Sequence, residues 1–153
     1  MDAVAKEFSD TDAALEKACG QKASVARAPY GNWSDDIIAT VQKPFFTWSL
    51  DSLDWSYKDV DKDYNEIMNG DLTDGSIILM HDIHEPSVQA AIKMIPELVQ
   101  KGYKLMTVSE LAAAKGVTLQ NANYSDFWDS SLQKGIVAGY NSGSSDGSSD
   151  GTA

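Results

Sequence analysis

The chain contains two histidines, three residues apart in His81-Asp82-Ile83-His84. His81 follows Ser76-Ile77-Ile78-Leu79-Met80 without a break, so it is partly shielded and the better candidate for chemistry. An imidazole beside a carboxylate is stabilised in its protonated form and can hand a proton to a leaving amine, the acid half of amide hydrolysis. Asp54, in Asp51-Ser52-Leu53-Asp54-Trp55, is the candidate carboxylate, and its contact with His81 must be tertiary. Arg27-Ala28-Pro29-Tyr30-Gly31 forms a third polar and aromatic cluster. Singly, each residue has an ordinary reading. Arg27 suits a surface ion pair, Asp51 and Asp54 suit turns, Trp55 suits a core, and His84 suits an exposed or helix-capping position. His81, Asp82 and His84 are also a thin donor set for zinc, because stable sites use three or four well-placed ligands.

Those clusters need elements to position them. Helical spacing predicts a helix over 3–19, ended by Gly20. Ser24–Ala26 reads as extended, and Pro29 with Gly31 enforces a turn. Ser34-Asp35-Asp36 caps a helix to about Lys43, and 45–50 reads as a strand. Helix 58–69, strand 76–80, helix 85–101, strand 103–108 and a short helix from Ser109 follow. Pro86 suits a first helical turn, whereas Pro96 should kink its helix. Four strands alternating with helices predict an α/β fold with a parallel sheet covered on both faces. In such folds ligands gather at the carboxyl ends of strands. Three of the four strands end in one of the clusters, which places all three on one rim. The pattern weakens from Asn121, and 141–153 is a low-complexity Ser/Gly/Asp tail expected to be disordered.

Composition narrows the partners. The chain has 153 residues, 42% hydrophobic and 23% charged, which suits one globular domain. A net charge of −11 argues against nucleic acid and favours a neutral or cationic glycan over an acidic one. No apolar run approaches the ~20 residues of a membrane helix. The N-terminal residues have no signal-peptide pattern, so the chain as written is expected in the cytoplasm. Cys19 is the sole cysteine, which excludes an intrachain disulfide; a buried thiol is the default expectation.

The clusters resemble, in order and spacing, those of the NodB-homology polysaccharide deacetylases, carbohydrate esterase family 4. The resemblance rests on Arg-Ala-Pro-Tyr-Gly at 27–31, Asp-Ser-Leu-Asp-Trp at 51–55, Ile-Leu-Met-His-Asp-Ile-His at 78–84 and the stretch from Gly102 to Leu111. It covers about residues 1–116, as the C-terminal portion of that domain. It implies a partial, distorted (β/α) barrel of about four parallel strands over 1–120, with an extension at 121–140. It further implies His81 as general acid, Asp54 as the carboxylate tuning it, and Arg27 as the holder of a catalytic aspartate. By the same resemblance Tyr30 would offer its backbone N–H to an oxyanion, Trp55 would wall the sugar groove, and Leu79 would line the acetyl pocket.

Two family features are missing from this sequence: an upstream Thr-Phe-Asp-Asp-Gly stretch, which supplies the base and a metal ligand, and a His-x-x-x-His pair. Asp35-Asp36 echoes the first but opens a helix, so capping is its expected role. The family uses a divalent metal such as zinc, and no such cofactor is expected to be retained by these residues. The resemblance therefore implies a deacetylase of peptidoglycan or chitin-like glycans whose acid half alone is present, inactive by itself. A complementing N-terminal half, or self-association through open sheet edges, would follow. The parent family acts outside the cell or in its envelope. The alternative function is a non-catalytic glycan-binding module built on Trp55 and Tyr30.

Overall fold

The computed structural model describes residues 1–128. The predicted Ser/Gly/Asp tail and residues 129–140 of the extension lie outside the described residues. The elements in chain order are α1 (Asp2–Cys19), a 3-10 turn (Pro29–Gly31), α2 (Asp35–Val41), β1 (Phe45–Phe46) and β2 (Leu50–Asp51). They continue with α3 (Asp54–Tyr57), α4 (Val60–Met68), β3 (Ile78–Leu79), α5 (Glu85–Gln100), α6 (Val108–Ala114) and β4 (Asn123–Tyr124). The fold is α/β and rich in helix, with short parallel strands.

Local chemistry explains most boundaries. Gly20 ends α1 in the left-handed conformation, and the Ser34 side chain accepts from the Ile37 N–H to start α2. Asp59 caps α4 by accepting from Asp61 and Lys62. α5 runs through Pro96, which leaves the Ile92 carbonyl without its helical donor. Ile92 is 60% exposed, on a side of the helix open to water. No helix among the described residues is long and apolar enough to cross a membrane.

The strands depart from the sequence expectation in three ways. The run 45–50 is two strands, because the chain changes partners at Trp48. Thr47 N–H donates to Tyr124 and Ser49 N–H donates to Ile77, on different neighbours. The result is two separate parallel pairs, β1 with β4 and β2 with β3, in place of one four-stranded sheet. The expected strand at 103–108 does not form either. Lys104, Leu105 and Met106 have no backbone hydrogen bond among the described residues, and a strand without a ladder partner has nothing to hold it. A capping box between Thr107 and Glu110 draws Val108 onward into α6. Thr107→Ala is expected to cost about 1 kcal/mol of stability in urea unfolding; an unchanged midpoint would contradict that role for the box.

The packed body continues past residue 120. β4 pairs with β1, and Tyr124 and Phe127 are buried with Phe46 and Ala112. Gly75 makes this possible: its φ is +97°, and a Cβ there would lie 2.5 Å from the Phe127 carbonyl oxygen. A second cluster joins Ala28, Ile38 and Phe45, with Phe8 of α1 5.6 Å from Phe45 between ring centroids. The ion pair of Asp12 and Lys43, at 2.6 Å, ties α1 to the segment after α2. A third cluster, Ile67, Met94 and Leu98, joins α4 to α5 beneath Leu50 and Ile78. Cys19, expected to be buried, is exposed, because it ends a helix with no buried residue.

Candidate functional site

The register of the β2–β3 pair brings the chemistry together. The strands are parallel with Asp51 opposite Leu79, so the chain leaves both at the same end. Asp54 comes three residues after Asp51 and His81 two after Leu79, and they meet there. The His81 backbone N–H donates to Asp54 Oδ2 at 2.6 Å, and His81 Nδ1 lies 2.8 Å from Asp54 Oδ1. Both carboxylate oxygens are thus committed to one residue, which fixes the ring and leaves Nε2 for proton exchange. Asp54 is fully buried, while the His81 side chain is 28% exposed. Burial alone would raise the Asp54 carboxyl. The hydrogen bonds from His81, with the nearby Ser87 hydroxyl, outweigh it and hold the carboxyl below the ordinary range.

The turn that presents Asp54 is held by Asp51, whose Oδ1 accepts from the Leu53 N–H at 2.9 Å. Leu53 sits at φ +54°, a left-handed conformation that is costly for a branched residue. Of the two aspartates, Asp51 is therefore the turn-former and Asp54 is not. Leu79 is buried at the end of β3, and Trp55 is 53% exposed beside the pair. His84 occupies the N-cap of α5, the helix-capping position expected of it, half-buried and with no capping bond from its side chain. Asp82 is exposed.

The Arg27–Gly31 cluster follows Ala26, which bridges to Phe45 in parallel. Tyr30 is 95% exposed at φ +58°, and its backbone N–H has no partner among the described residues. Arg27 faces solvent and forms no ion pair among the described residues, so the surface pair expected for it is not seen.

Two neighbours of the site escaped the sequence reading. The Trp48 ring lies against Gly31, where a Cβ would be 3.1 Å from Cη2. Asp63 of α4 is fully buried, and neither of its carboxylate oxygens has a hydrogen-bond partner. Burial, and then the negative charge of Asp54, raise its pKa above the ordinary value. Its sequence signal was a carboxylate on the apolar stripe of Val60, Tyr64 and Ile67. Asp35 and Asp36 stand in the first turn of α2 and serve its N-terminus.

The described residues do not fit a catalytic metal ion. Among the described residues no group of three or more His, Cys, Asp or Glu is placed to hold one. His81, the better placed imidazole, spends Nδ1 on Asp54. His81, Asp82 and His84 form no such group.

Comparison with known proteins follows the same lines. No protein-family profile matches the chain. A curated peptidoglycan-N-acetylmuramic acid deacetylase, PdaC of Bacillus subtilis, is 34% identical over 110 residues, covering 72% of this chain and 23% of the relative. The solved T48 deacetylase with substrate is 35% identical with a TM-score of 0.75, covering 81% of this chain and 61% of that one. A family 4 acetyl xylan esterase from Clostridium thermocellum, solved with a cobalt ion, is 29% identical with a TM-score of 0.75, over 82% and 63% of the two chains. The chain spans about a quarter of the curated relative and about three fifths of the two solved structures. With the Asp54–His81 pair standing where two parallel strands end, and with these likenesses over most of its length, the chain belongs to the polysaccharide deacetylases of carbohydrate esterase family 4.

Proposed function

We propose that this chain supplies the acid side of a glycan deacetylase, which removes N-acetyl groups from peptidoglycan or chitin-like amino-sugar polymers. The observation that carries the reading is the buried Asp54 holding His81 by both oxygens. His81 Nε2 would protonate the departing amine, and the unpaired Tyr30 N–H would receive the developing oxyanion. Leu79 would back the acetyl methyl, and the exposed Trp55 would take a sugar face. Arg27, free of a partner among the described residues, suits a carboxylate supplied from elsewhere. The base and the metal would come with that other part, which completes an otherwise partial (β/α) barrel. The unpaired backbone of Lys104–Met106 supports this, as do the exposed Val99, Leu105 and Met106 around it. Such an enzyme would work in the cell envelope, where its polymer is.

Acetate release from peptidoglycan and from chitin oligosaccharides, with added zinc, tests the reading. This chain alone should be silent. Activity should appear when a polypeptide with the upstream portion of a relative's deacetylase domain is added, and His81→Ala should remove it. Clear turnover by the chain alone would refute the division of labour. The exposure of Tyr30 (95%) and Trp55 (53%) favours a second reading, a glycan-binding module. Saturable tryptophan quenching by chitin oligosaccharides, with no acetate release in the complemented mixture, would select it.

A further inference from the structure

Tyr30 raises a question of cost. A non-glycine residue in the left-handed region is strained, and the exposed Tyr30 side chain recovers none of that cost by packing. The turn's own bonds, Gly31 N–H to Ala28 and Asn32 N–H to Pro29, both 3.1 Å, are of the kind ordinary right-handed residues also make. Something outside the turn must select its shape. Gly31, at φ +69°, is left-handed too, and the six-membered ring of Trp48 packs on its α-carbon. A Cβ at Gly31 would meet Cη2, Cζ3 and Cζ2 of that ring at 3.1, 3.7 and 3.8 Å.

Trp48 is itself well anchored. The residues on either side are tied to different sheets, Thr47 N–H to Tyr124 at 2.9 Å and Ser49 N–H to Ile77 at 3.0 Å. The start of the turn is fixed independently, since Phe46 N–H donates to Ala26 at 2.8 Å and Ala26 N–H to Pro44 at 2.9 Å. The turn is therefore held at its base by β1 and at its tip by the indole, and between those points the Tyr30 N–H stays unpaired.

We infer that Trp48 is a positioning residue: its indole, wedged beneath Gly31, holds the Tyr30–Gly31 pair left-handed and so aims the Tyr30 N–H as an oxyanion donor. The inference rests on the proposed role of Tyr30, and its test keeps the two separable. The probe is acetate, titrated into the 15N-labelled chain while the Tyr30 and Gly31 amides and the His81 ring nitrogens are followed by NMR. Wild type should show a saturable acetate shift at Tyr30. Trp48→Ala should weaken that response about tenfold or more and speed hydrogen exchange at Gly31 and Asn32, with the His81 ring signals unmoved. Trp48→Phe, which keeps a flat ring, should restore most of the response. A Trp48→Ala chain whose Tyr30 signal, exchange and acetate response match wild type would overturn the inference. A wild-type Tyr30 amide silent to acetate, with Trp48→Ala still releasing the turn, would uphold the clamp and remove the oxyanion role. Should Trp48→Ala unfold the chain, Trp48→Leu decides: it keeps apolar bulk without the flat ring, so a wild-type acetate response at Tyr30 and wild-type exchange at Gly31 in that variant would equally overturn the inference.

Discussion

Asp54→Asn should lower acetate release by the complemented deacetylase on the order of 10²–10⁴-fold, the usual contribution of a positioned general acid. The carboxylate accepts two N–H groups from His81, and an amide offers only one oxygen. Either the backbone N–H or the ring loses its partner at a site that is fully buried, an expected cost of about 1–3 kcal/mol. The pH dependence has a definite sign. The Asp54 carboxyl is held below its ordinary 3.8, so its contribution to stability is complete above that pH. It is lost as pH falls through the lower, folded-state value. Wild type should therefore exceed the variant in urea unfolding at pH 7, and the gap should narrow in acid below about pH 3.8. A gap that is the same at pH 7 and pH 2, or acetate release within a factor of two of wild type, would break the assignment.

Asp63→Asn should have the opposite effect on stability. Asp63 is fully buried, and neither carboxylate oxygen has a hydrogen-bond partner; burial and the charges of Asp54 and Asp59 push its pKa up, against a smaller opposing effect of His84. Its folded-state pKa is raised above 3.8, so the unfolded chain ionises first. Folding is least penalised below pH 3.8, and stability is lost as pH rises through the folded-state value. A neutral amide removes that loss. The variant should be more stable than wild type at pH 7, and that advantage should disappear near pH 3. Denaturant midpoints at the two pH values measure this. A variant less stable at pH 7, or an advantage that grows in acid, would show that the carboxyl has a stabilising partner.

The Asp54–His81 contact was legible in the sequence because parallel strands carry their exits to one end, and Asp51 and Leu79 fall in register. Residues at similar offsets beyond those exits then meet with little further information. The first two helices were legible for local reasons, through Gly20 and Ser34, whereas the Thr107–Glu110 box begins inside the stretch expected as a strand. What was not legible depends on partners far along the chain. Nothing local to Phe45–Leu50 says that its hydrogen bonds pass from Tyr124 to Ile77 midway. Asn123–Tyr124 is too short and too polar to announce a strand, and it becomes one because β1 accepts it. The opposite holds for 103–107, whose composition suits a strand but whose backbone meets no ladder among the described residues. Cys19 followed the same logic, since hydrophobic character does not bury a residue whose helix packs loosely at that end.

The three apolar clusters share no buried side chain. The strands that lead to Asp54 and His81 lean on Ile67, Met94 and Leu98, whereas the stacked rings of Phe46, Tyr124 and Phe127 belong to a different cluster. Ile77, which precedes β3 and accepts from the Ser49 and Leu50 N–H groups, packs on that aromatic cluster, so loosening around β4 would reach the Asp54–His81 contact through it.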